Sequence, residues 1–205
     1  MGLGIGIATL QSKKLKAVEL RSSTKSFNLA VAESETGAGG KDMLYLPTTE
    51  FTASDLAMCT SAGDIPFSIG MYIRPENLSG SYSLLEHGKG FAGQPSNSFG
   101  QIDYKVAKNS QNKLLFQVAD VDSSGSYAYR SLITDNAISV NTWIHVLCTY
   151  DGRGGDDAQD GMTIYINGVA VAATGHKYHS GSFQYVSMYN SLGGFSDNAC
   201  HIVIG

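Results

Sequence analysis

Carboxylate side chains gather in one stretch of the sequence, residues 151–161, which holds four aspartates and four glycines. Calcium takes about six to eight oxygen ligands and is often held by flexible loops of this composition. The spacing does not match the calcium loop of an EF-hand, and Arg153 lies among the acids. Two interpretations stay open, a solvated loop without a cofactor and a calcium site. The candidate calcium ligands are Asp151, Asp156, Asp157 and Asp160.

Paired carboxylates on one strand face would indicate glycoside hydrolysis, because the acid and the nucleophile must lie about 5 Å apart. None of the six glutamates of the chain takes part in a pattern such as Glu-x-Asp-x-Glu. The nearest candidate, residues 101–105, offers Asp103 as its one carboxylate. No arrangement of Ser, His and Asp stands out either, since residue order alone carries no geometry. We therefore expect a protein that is not an enzyme.

Three histidines have distinct sequence contexts. His176 and His179 form a His-x-x-His pair, which could hold a metal only with a third ligand from elsewhere. We interpret this pair as loop histidines. His145 falls inside a strongly apolar segment, where we expect a hydrogen-bonded core position.

Aromatic residues with small polar neighbours dominate residues 174–198, which we expect to form a surface loop. Such rings supply contact area at low entropic cost, so the composition suits a sugar or a protein surface. The alternative is that many of these rings lie in the core or in an interface. The candidate glycan-binding residues are His176, Tyr178, Tyr185, Tyr189 and Phe195.

Apolar residues alternate with polar ones from residue 41 onward, which predicts half-buried strands. Phe67, Ile69, Met71 and Ile73 form one apolar face, and Asn167-Gly168 between two apolar runs predicts a type I′ hairpin. Spacings of about ten residues between strands predict an antiparallel sandwich. The candidate strands are 67–74, 83–87, 101–108, 113–120, 127–133, 142–150, 162–167, 169–173 and 201–204.

Residues 1–40 differ from the rest and predict an extended arm with a Gly-rich linker before a sandwich of residues 41–205. Glycines alternate with apolar residues at the start, which permits close approach to another backbone. The first 27 residues carry a net charge of +4, although the whole chain carries −4. An assembly arm and a frayed, solvated terminus both fit. The candidate assembly residues are Leu3, Ile5, Ile7, Lys13, Lys14 and Lys16.

Several classes of protein are disfavoured by the sequence. The acidic net charge gives no field that attracts nucleic acid. No stretch reaches the roughly 20 apolar residues that span a bilayer, and the start does not match a signal peptide. Cys59, Cys148 and Cys200 are an odd number without metal-ligand spacing, so we expect neither a disulfide framework nor zinc.

Three motifs resemble one family. Residues 141–152 have the sequence NTWIHVLCTYDG, residues 161–169 have GMTIYINGV, and residues 66–75 have PFSIGMYIRP. In this order and spacing they are similar to the core of laminin-G-like (LamG) domains, with Tyr72 at a position where tryptophan is common. The resemblance covers roughly residues 43–205 and implies an all-β fold, a concanavalin A-like antiparallel β-sandwich (jelly roll) behind the N-terminal extended arm.

Residues 54–68 also resemble the segment that precedes this motif in LamG-type domains of bacteriophage structural proteins. The resemblance implies a tail-fibre or capsid-decoration protein, made in the host cytoplasm and placed in the virion. Its partners would be other virion subunits, in a homo-oligomer, and host glycan. The alternative is a carbohydrate-binding module of a cell-surface-directed fibre or secreted protein.

One departure from the family concerns the last strand. The family continues beyond a strand such as 201–204 into a closing strand, which this sequence does not contain. An unpaired sheet edge pairs readily with another strand. We therefore expect the edge to be covered by the N-terminal segment, by another subunit or by residues outside this sequence.

Overall fold

The computed structural model describes residues 2–3, 27–28, 44–46, 58–75, 80–89, 102–121, 126–188 and 200–204. These residues form antiparallel β-structure with one 3₁₀ turn, Ala158–Gly161, and no α-helix. Within these ranges no helix is long and apolar enough to cross a membrane.

Fifteen strands lie in the described residues. In chain order they are β1 (Gly2–Leu3), β2 (Phe27–Asn28), β3 (Leu44–Leu46), β4 (Cys59–Thr60), β5 (Gly63–Asp64), β6 (Phe67–Ile73), β7 (Tyr82–Lys89), β8 (Ile102–Lys108), β9 (Leu114–Val121), β10 (Tyr127–Thr134), β11 (Ile144–Tyr150), β12 (Met162–Ile166), β13 (Val169–Ala170), β14 (Ala173–His179) and β15 (Cys200–Ile204).

Two main sheets are built from these strands. The large sheet has the order β14-β10-β9-β8-β7-β15-β3, and the small sheet has the order β13-β12-β11-β6. Two short pairs, β1 with β2 and β4 with β5, complete the described strands. Every pairing is antiparallel, so the all-β sandwich predicted from the sequence is confirmed.

The core lies between the facing sides of the two sheets. The Phe67 ring of β6 lies 5.3 Å from Tyr104 of β8 and 5.8 Å from Phe116 of β9, measured between centroids. Burial of each such side chain stabilises the fold by about 1.5–3 kcal/mol. These contacts join the small sheet to the large sheet.

Alternation along β6 and β11 agrees with the sequence. The predicted face of β6, from Phe67 to Ile73, is buried at every second residue. On β11 the alternate residues from Ile144 to Tyr150 are buried, including Cys148. β11 lies between β6 and β12, so it is a central strand of the small sheet.

His145 does not occupy the core position that the sequence predicted. It lies on the opposite face of β11 from the buried residues and is half-buried. Its ring packs 4.8 Å from that of Tyr72, which is 55 % exposed. The prediction was wrong because the apolar residues around His145 obscure which face of the strand it belongs to.

The Asn-Gly hairpin is confirmed by its backbone angles. Asn167 and Gly168 have φ values of 52° and 82°, as a type I′ turn requires. The following strand β13 is shorter than predicted, because it pairs over Val169 and Ala170 alone.

Strand β14 was not predicted, since residues 174–198 were expected to form a loop. It pairs with β10 along its whole length and takes one edge of the large sheet. Its residues from Thr174 to His179 are all exposed. Without a buried face the strand has no apolar alternation, which explains why the sequence pattern missed it.

The edge beside β15 is occupied by another part of the chain. β15 pairs with β7 on one side and with β3 on the other. The covering strand, Leu44–Leu46, lies inside the predicted sandwich of residues 41–205 and not in the predicted arm of residues 1–40.

Candidate functional site

Three tyrosines meet where β10 and β14 pair, and we call Tyr127, Tyr129 and Tyr178 the tyrosine ladder. Tyr178 lies opposite Tyr129 in the register. The Tyr178 ring stacks on both others, with centroid distances of 5.0 Å to Tyr127 and 5.1 Å to Tyr129. Side chains on one strand face are about 7 Å apart, so the Tyr178 ring fits between its neighbours.

This arrangement limits what each tyrosine can offer to a ligand. The Tyr127 hydroxyl donates a hydrogen bond to the Tyr178 hydroxyl at 3.3 Å, which raises the pKa of Tyr127. Burial raises the pKa of Tyr129. Tyr178 remains 38 % exposed, yet its two ring faces are covered. Tyr127 stacks on one ring of the ladder and Tyr178 stacks on two, so Tyr127 is the better candidate for stacking on a ligand.

An open groove lies beside the ladder, and we call it the serine groove. Ser126, residues 180–184 and Val186 line its volume of about 650 Å³. It adjoins the ladder because Ser126 precedes Tyr127 and the Ser180 N–H donates to the Tyr127 carbonyl at 2.9 Å. Serine hydroxyls, the Gln184 amide and the Phe183 ring converge here, and such groups bind polar ligands.

The turn at one end of the groove has fixed geometry. The Phe183 N–H donates to the Ser180 carbonyl at 3.0 Å. The Nδ1 atom of His179 lies 2.8 Å from the Gly181 carbonyl oxygen. Gly181 has φ of 59°, a conformation that suits glycine. This end of the groove is therefore formed before any ligand binds.

Residues 185–188, which include Val186 of the groove lining, are called the groove wall, and Asp64 holds this segment in place. Its carboxylate accepts hydrogen bonds from the Tyr150 hydroxyl at 2.8 Å, the Tyr185 hydroxyl at 2.5 Å and the Met188 N–H at 2.8 Å. Burial raises the pKa of Asp64, and these hydrogen bonds oppose the shift. One carboxylate thus ties β5 and β11 to the groove wall.

Asp120, which is fully buried on β9, holds the same wall. Its Oδ2 atom accepts the Val186 N–H at 3.1 Å and lies 3.5 Å from the Ser187 N–H. From the opposite side, the Gly155 N–H donates to the Val186 carbonyl at 2.8 Å. The wall is fixed by backbone hydrogen bonds on both sides.

Arg130 links the ladder to residues 151–161, which we call the acidic loop. Its guanidinium is fully buried and donates to the Tyr129 carbonyl at 2.8 Å and to the Tyr178 carbonyl at 3.2 Å. It also donates to the Asp156 carbonyl at 2.8 Å and to the Asp156 carboxylate at 2.5 Å. A buried cation with these partners is satisfied within the fold.

The four candidate calcium ligands take part in other contacts. Asp151 pairs with Arg153 at 2.7 Å. Asp156 and Asp157 accept hydrogen bonds from Lys177 at 3.0 and 2.7 Å. Asp160 accepts a hydrogen bond from the Gln159 amide at 2.8 Å.

These contacts favour the solvated loop over the calcium site. The cations Lys177 and Arg130 hold the pKa of Asp156 below its usual range, and Arg153 does the same for Asp151. Across the described residues no group of three or more His, Cys, Asp or Glu side chains is arranged to hold a metal. The solvated loop and the calcium site both stay predictions.

The predicted glycan-binding residues have different positions in the fold. His176 and Tyr178 are exposed on β14. Tyr185 lies in the core at 2 % exposure, where its hydroxyl binds Asp64, so its ring offers no surface to a ligand. Tyr189 and Phe195 lie outside the described residues.

The paired histidines lie on a strand and not in a loop, which corrects the interpretation from the sequence. His176 pairs opposite Ser131 and His179 opposite Ala128, an odd number of residues apart along β14. Because side chains alternate along a strand, the two imidazoles lie on opposite faces of the sheet.

The predicted assembly arm is described over a short part of its length. Gly2–Leu3 forms β1, which pairs with Phe27–Asn28. Ile5, Ile7, Lys13, Lys14 and Lys16 lie outside the described residues.

Buried carboxylates of the large sheet have structural partners. Glu86 accepts a hydrogen bond from the Ser83 hydroxyl. Asp103 lies 2.9 Å from Nδ1 of His87, whose ring stacks on Tyr104 at 4.9 Å. Asp120 holds the groove wall as described above.

Sequence reasoning missed Arg130, Asp64 and Asp120. Each is a charged residue at or beside a strand, and each is bonded to residues between 26 and 124 positions away. The one available signal was a charge on the inward side of an apolar strand, as with Arg130 in 127–133. That signal indicates an unusual residue, but it does not identify the residue's hydrogen-bond partner.

Comparison with known proteins agrees with this architecture. A family model described as the concanavalin A-like lectin/glucanases superfamily, of the laminin-G type, matches residues 39–198. A search of curated proteins found no matching relative. The family match spans most of the chain and both sheets of the sandwich. The chain therefore belongs to the concanavalin A-like lectin/glucanases superfamily.

Proposed function

We propose that this protein is a non-catalytic binding module that takes up carbohydrate in the serine groove, with Tyr127 as the stacking ring. The observation that carries the proposal is that serine hydroxyls, an amide and a phenyl ring line one open groove. Sugars present both hydroxyl groups and an apolar ring face, and such mixed surfaces complement both.

Preorganisation of the groove supports the same function. The turn at Gly181 and the wall at Val186 are each fixed by hydrogen bonds in the absence of ligand. A site that does not need to order itself loses less entropy on binding. This matters for sugars, whose individual contacts are weak.

The buried carboxylates support a role in binding and not in catalysis. Glu86, Asp103 and Asp120 are each less than 10 % exposed, with the structural partners described above. Incubation of the purified protein with a glycan ligand should return the ligand intact. Release of a reducing end would contradict this part of the proposal.

The test of glycan binding begins with a glycan array and continues by calorimetry on the best ligand. Tyr127→Ala and Gln184→Ala should each weaken binding about tenfold, which corresponds to about 1.4 kcal/mol. The matched controls are Tyr72→Ala, on the small sheet, and Gln111→Ala, in the turn between β8 and β9. Unchanged affinity in the groove variants, or no glycan bound at all, would contradict the proposal.

A second candidate function is a structural role in a virus particle, with the sandwich as a decoration or tail-fibre domain. The resemblance of residues 54–68 to bacteriophage proteins favours it. The exposed edge strand β14 supports assembly, because a free edge can pair with a second copy. The two functions are compatible, since a particle protein can also bind host glycan.

Light scattering of the full chain and of a chain without residues 1–40 tests the assembly role. A defined oligomer that becomes a monomer on truncation, with an unchanged circular dichroism spectrum, is the expected result. Replacing Lys13, Lys14 and Lys16 by Glu tests the basic arm without truncation. A monomer in all forms would contradict the assembly role and leave glycan binding in place.

A further inference from the structure

Among the residues that the structure describes, those that line the serine groove are all uncharged. They offer serine hydroxyls, one amide, one phenyl ring and one valine. Recognition of an anionic sugar normally uses arginine or lysine, or several backbone N–H groups aimed at the anion. The lining side chains supply none of these cations, so backbone donors and nearby cations need to be considered next.

The backbone donors of residues 186–188 point away from a ligand. The N–H groups of Val186 and Met188 are bonded to the carboxylates of Asp120 and Asp64, at 3.1 and 2.8 Å. Ser187 directs its N–H to the same Asp120 oxygen at 3.5 Å. Consecutive N–H groups of this kind could form an anion-binding nest. Here two internal carboxylates occupy them.

The loop that supports the wall has its donors occupied as well. The Gly154 N–H donates to the Tyr150 hydroxyl at 2.8 Å, and the Gly155 N–H donates to the Val186 carbonyl at 2.8 Å. These two glycines have positive φ, of 61° and 69°, so their conformation resembles an anion-binding turn. Their bonds to the protein remove that capacity.

The cations of β10 and β14, the two strands beside the groove, are paired with carboxylates of the acidic loop. Arg130 and Lys177 both pair with Asp156, and Lys177 also pairs with Asp157. Behind the wall, Asp64 and Asp120 add negative charge with little solvent to screen it. An anionic ligand would therefore meet negative charge behind the wall, and no cation among the described lining residues offsets it.

From this geometry we infer that the serine groove selects uncharged saccharides and rejects sugars that carry carboxylate or sulfate groups. The inference rests on the proposed function of the groove, because it specifies the ligand class for the same site. Serine hydroxyls and the Gln184 amide donate to and accept from sugar hydroxyls, which suits a neutral hexose.

The experiment compares matched pairs of glycans on the full chain. Each pair shares one neutral oligosaccharide, with and without a terminal sialic acid or a sulfate group. The neutral member should bind at least about tenfold more tightly in calorimetry at low salt, where charge effects are largest. Equal or tighter binding of the acidic member would overturn the inference and leave carbohydrate binding intact. Failure to bind either member would overturn both.

A charge variant tests the electrostatic cause. Gln184→Lys places a cation in the groove and should reduce the preference for the neutral member by about tenfold. Gln111→Lys makes the same change in the turn before β9, at the end of that strand that is far from Asp120 and the groove wall. It should leave the preference unchanged. If both lysine variants alter the preference equally, net charge and not the groove sets the selectivity, and the inference is wrong.

Discussion

Single buried charges hold together parts of this sandwich that are far apart in sequence. Asp64 bonds to Tyr150 and Tyr185, and Arg130 bonds to Asp156. A charged group in a low-dielectric interior is costly without such partners, so removing one partner costs more than one ordinary hydrogen bond. Stability and groove shape are therefore coupled at these residues.

Asp64→Asn should make the stability of the protein depend less on pH. Because burial raises the pKa of Asp64, the folded chain holds this proton more tightly than the unfolded chain. The resulting stabilisation is fully present below about pH 4, the ordinary pKa of an aspartate, and is lost as the pH rises through the raised value. Asparagine does not bind this proton in either state, so the variant lacks this pH dependence.

Urea unfolding at pH 4 and at pH 7 measures this effect. The free energy of unfolding of the wild-type chain minus that of Asp64→Asn should be larger at the lower pH. Asp135→Asn, at an exposed carboxylate, is the control for surface charge. A difference that stays constant, or grows with pH, would show that the Asp64 proton is not held more tightly in the fold.

Calcium should not stabilise the protein, because the aspartates of the acidic loop already bind Arg130, Lys177 and Arg153. A genuine site would add roughly 2.7 kcal/mol at a hundred times its Kd. Thermal unfolding in millimolar calcium and in EDTA should therefore give the same midpoint. A higher midpoint in calcium than in EDTA, which Asp156→Asn abolishes, would establish the calcium site that the sequence left open.

At the scale of elements, strands were predictable wherever one of their faces is buried. β6 and β11 show strict alternation, because each contributes one side to the core. β14 has no buried face, and its position depends on pairing with β10 and on the tyrosine ladder. Its Gly175 lies so close to the Gln159 side chain that an added Cβ would come within 2.8 Å. The local sequence pattern does not show such dependence on residues that are distant in the chain.

The candidate site was predictable in composition and not in detail. The segment 174–198 was predicted to present tyrosine and serine side chains at a surface, and Tyr178 and the groove residues 180–184 fall within it. Tyr185 is in the same segment as Tyr178 and has similar sequence neighbours, but its hydroxyl donates to Asp64 in the interior. Which tyrosine is buried depends on Asp64, 121 residues away, and local sequence does not carry that information.

Two glycines at turns should differ sharply when replaced by alanine. Gly152 and Gly168 both have positive φ, of 79° and 82°. A Cβ on Gly168 would meet nothing within 4 Å, whereas one on Gly152 would lie 2.6 Å from the backbone at Ile65 and Pro66. The first change carries conformational strain alone, and the second adds a clash with backbone atoms.

Gly168→Ala should cost about 1–2 kcal/mol of unfolding free energy, the cost of left-handed backbone. Gly152→Ala should cost a further 1–3 kcal/mol, as overpacking does. Chemical denaturation of both variants measures the difference. Equal losses would mean that the chain near Ile65 moves away from the new methyl group at no cost.

At the scale of the whole molecule, one core joins both sheets and the β4–β5 pair. Cys59 of β4 and Cys148 of β11 belong to the same cluster of buried residues, although they are 89 positions apart. Burial raises the pKa of the Cys59 thiol to about 12 and raises that of Cys148 further still. Both thiols should therefore be inert to alkylation while the protein is folded.

If the core unfolds as one cooperative unit, Cys59 and Cys148 should be alkylated at the same rate, set by global unfolding. The Cys200→Ser variant leaves these two thiols to be followed by mass spectrometry, and Thr142→Cys supplies an exposed reference thiol. Urea should accelerate both buried sites in parallel. Faster labelling of Cys59 would mean that the β4–β5 pair opens by itself. In that case Asp64 would be released with it, and the groove wall would be a separately mobile part of the sandwich.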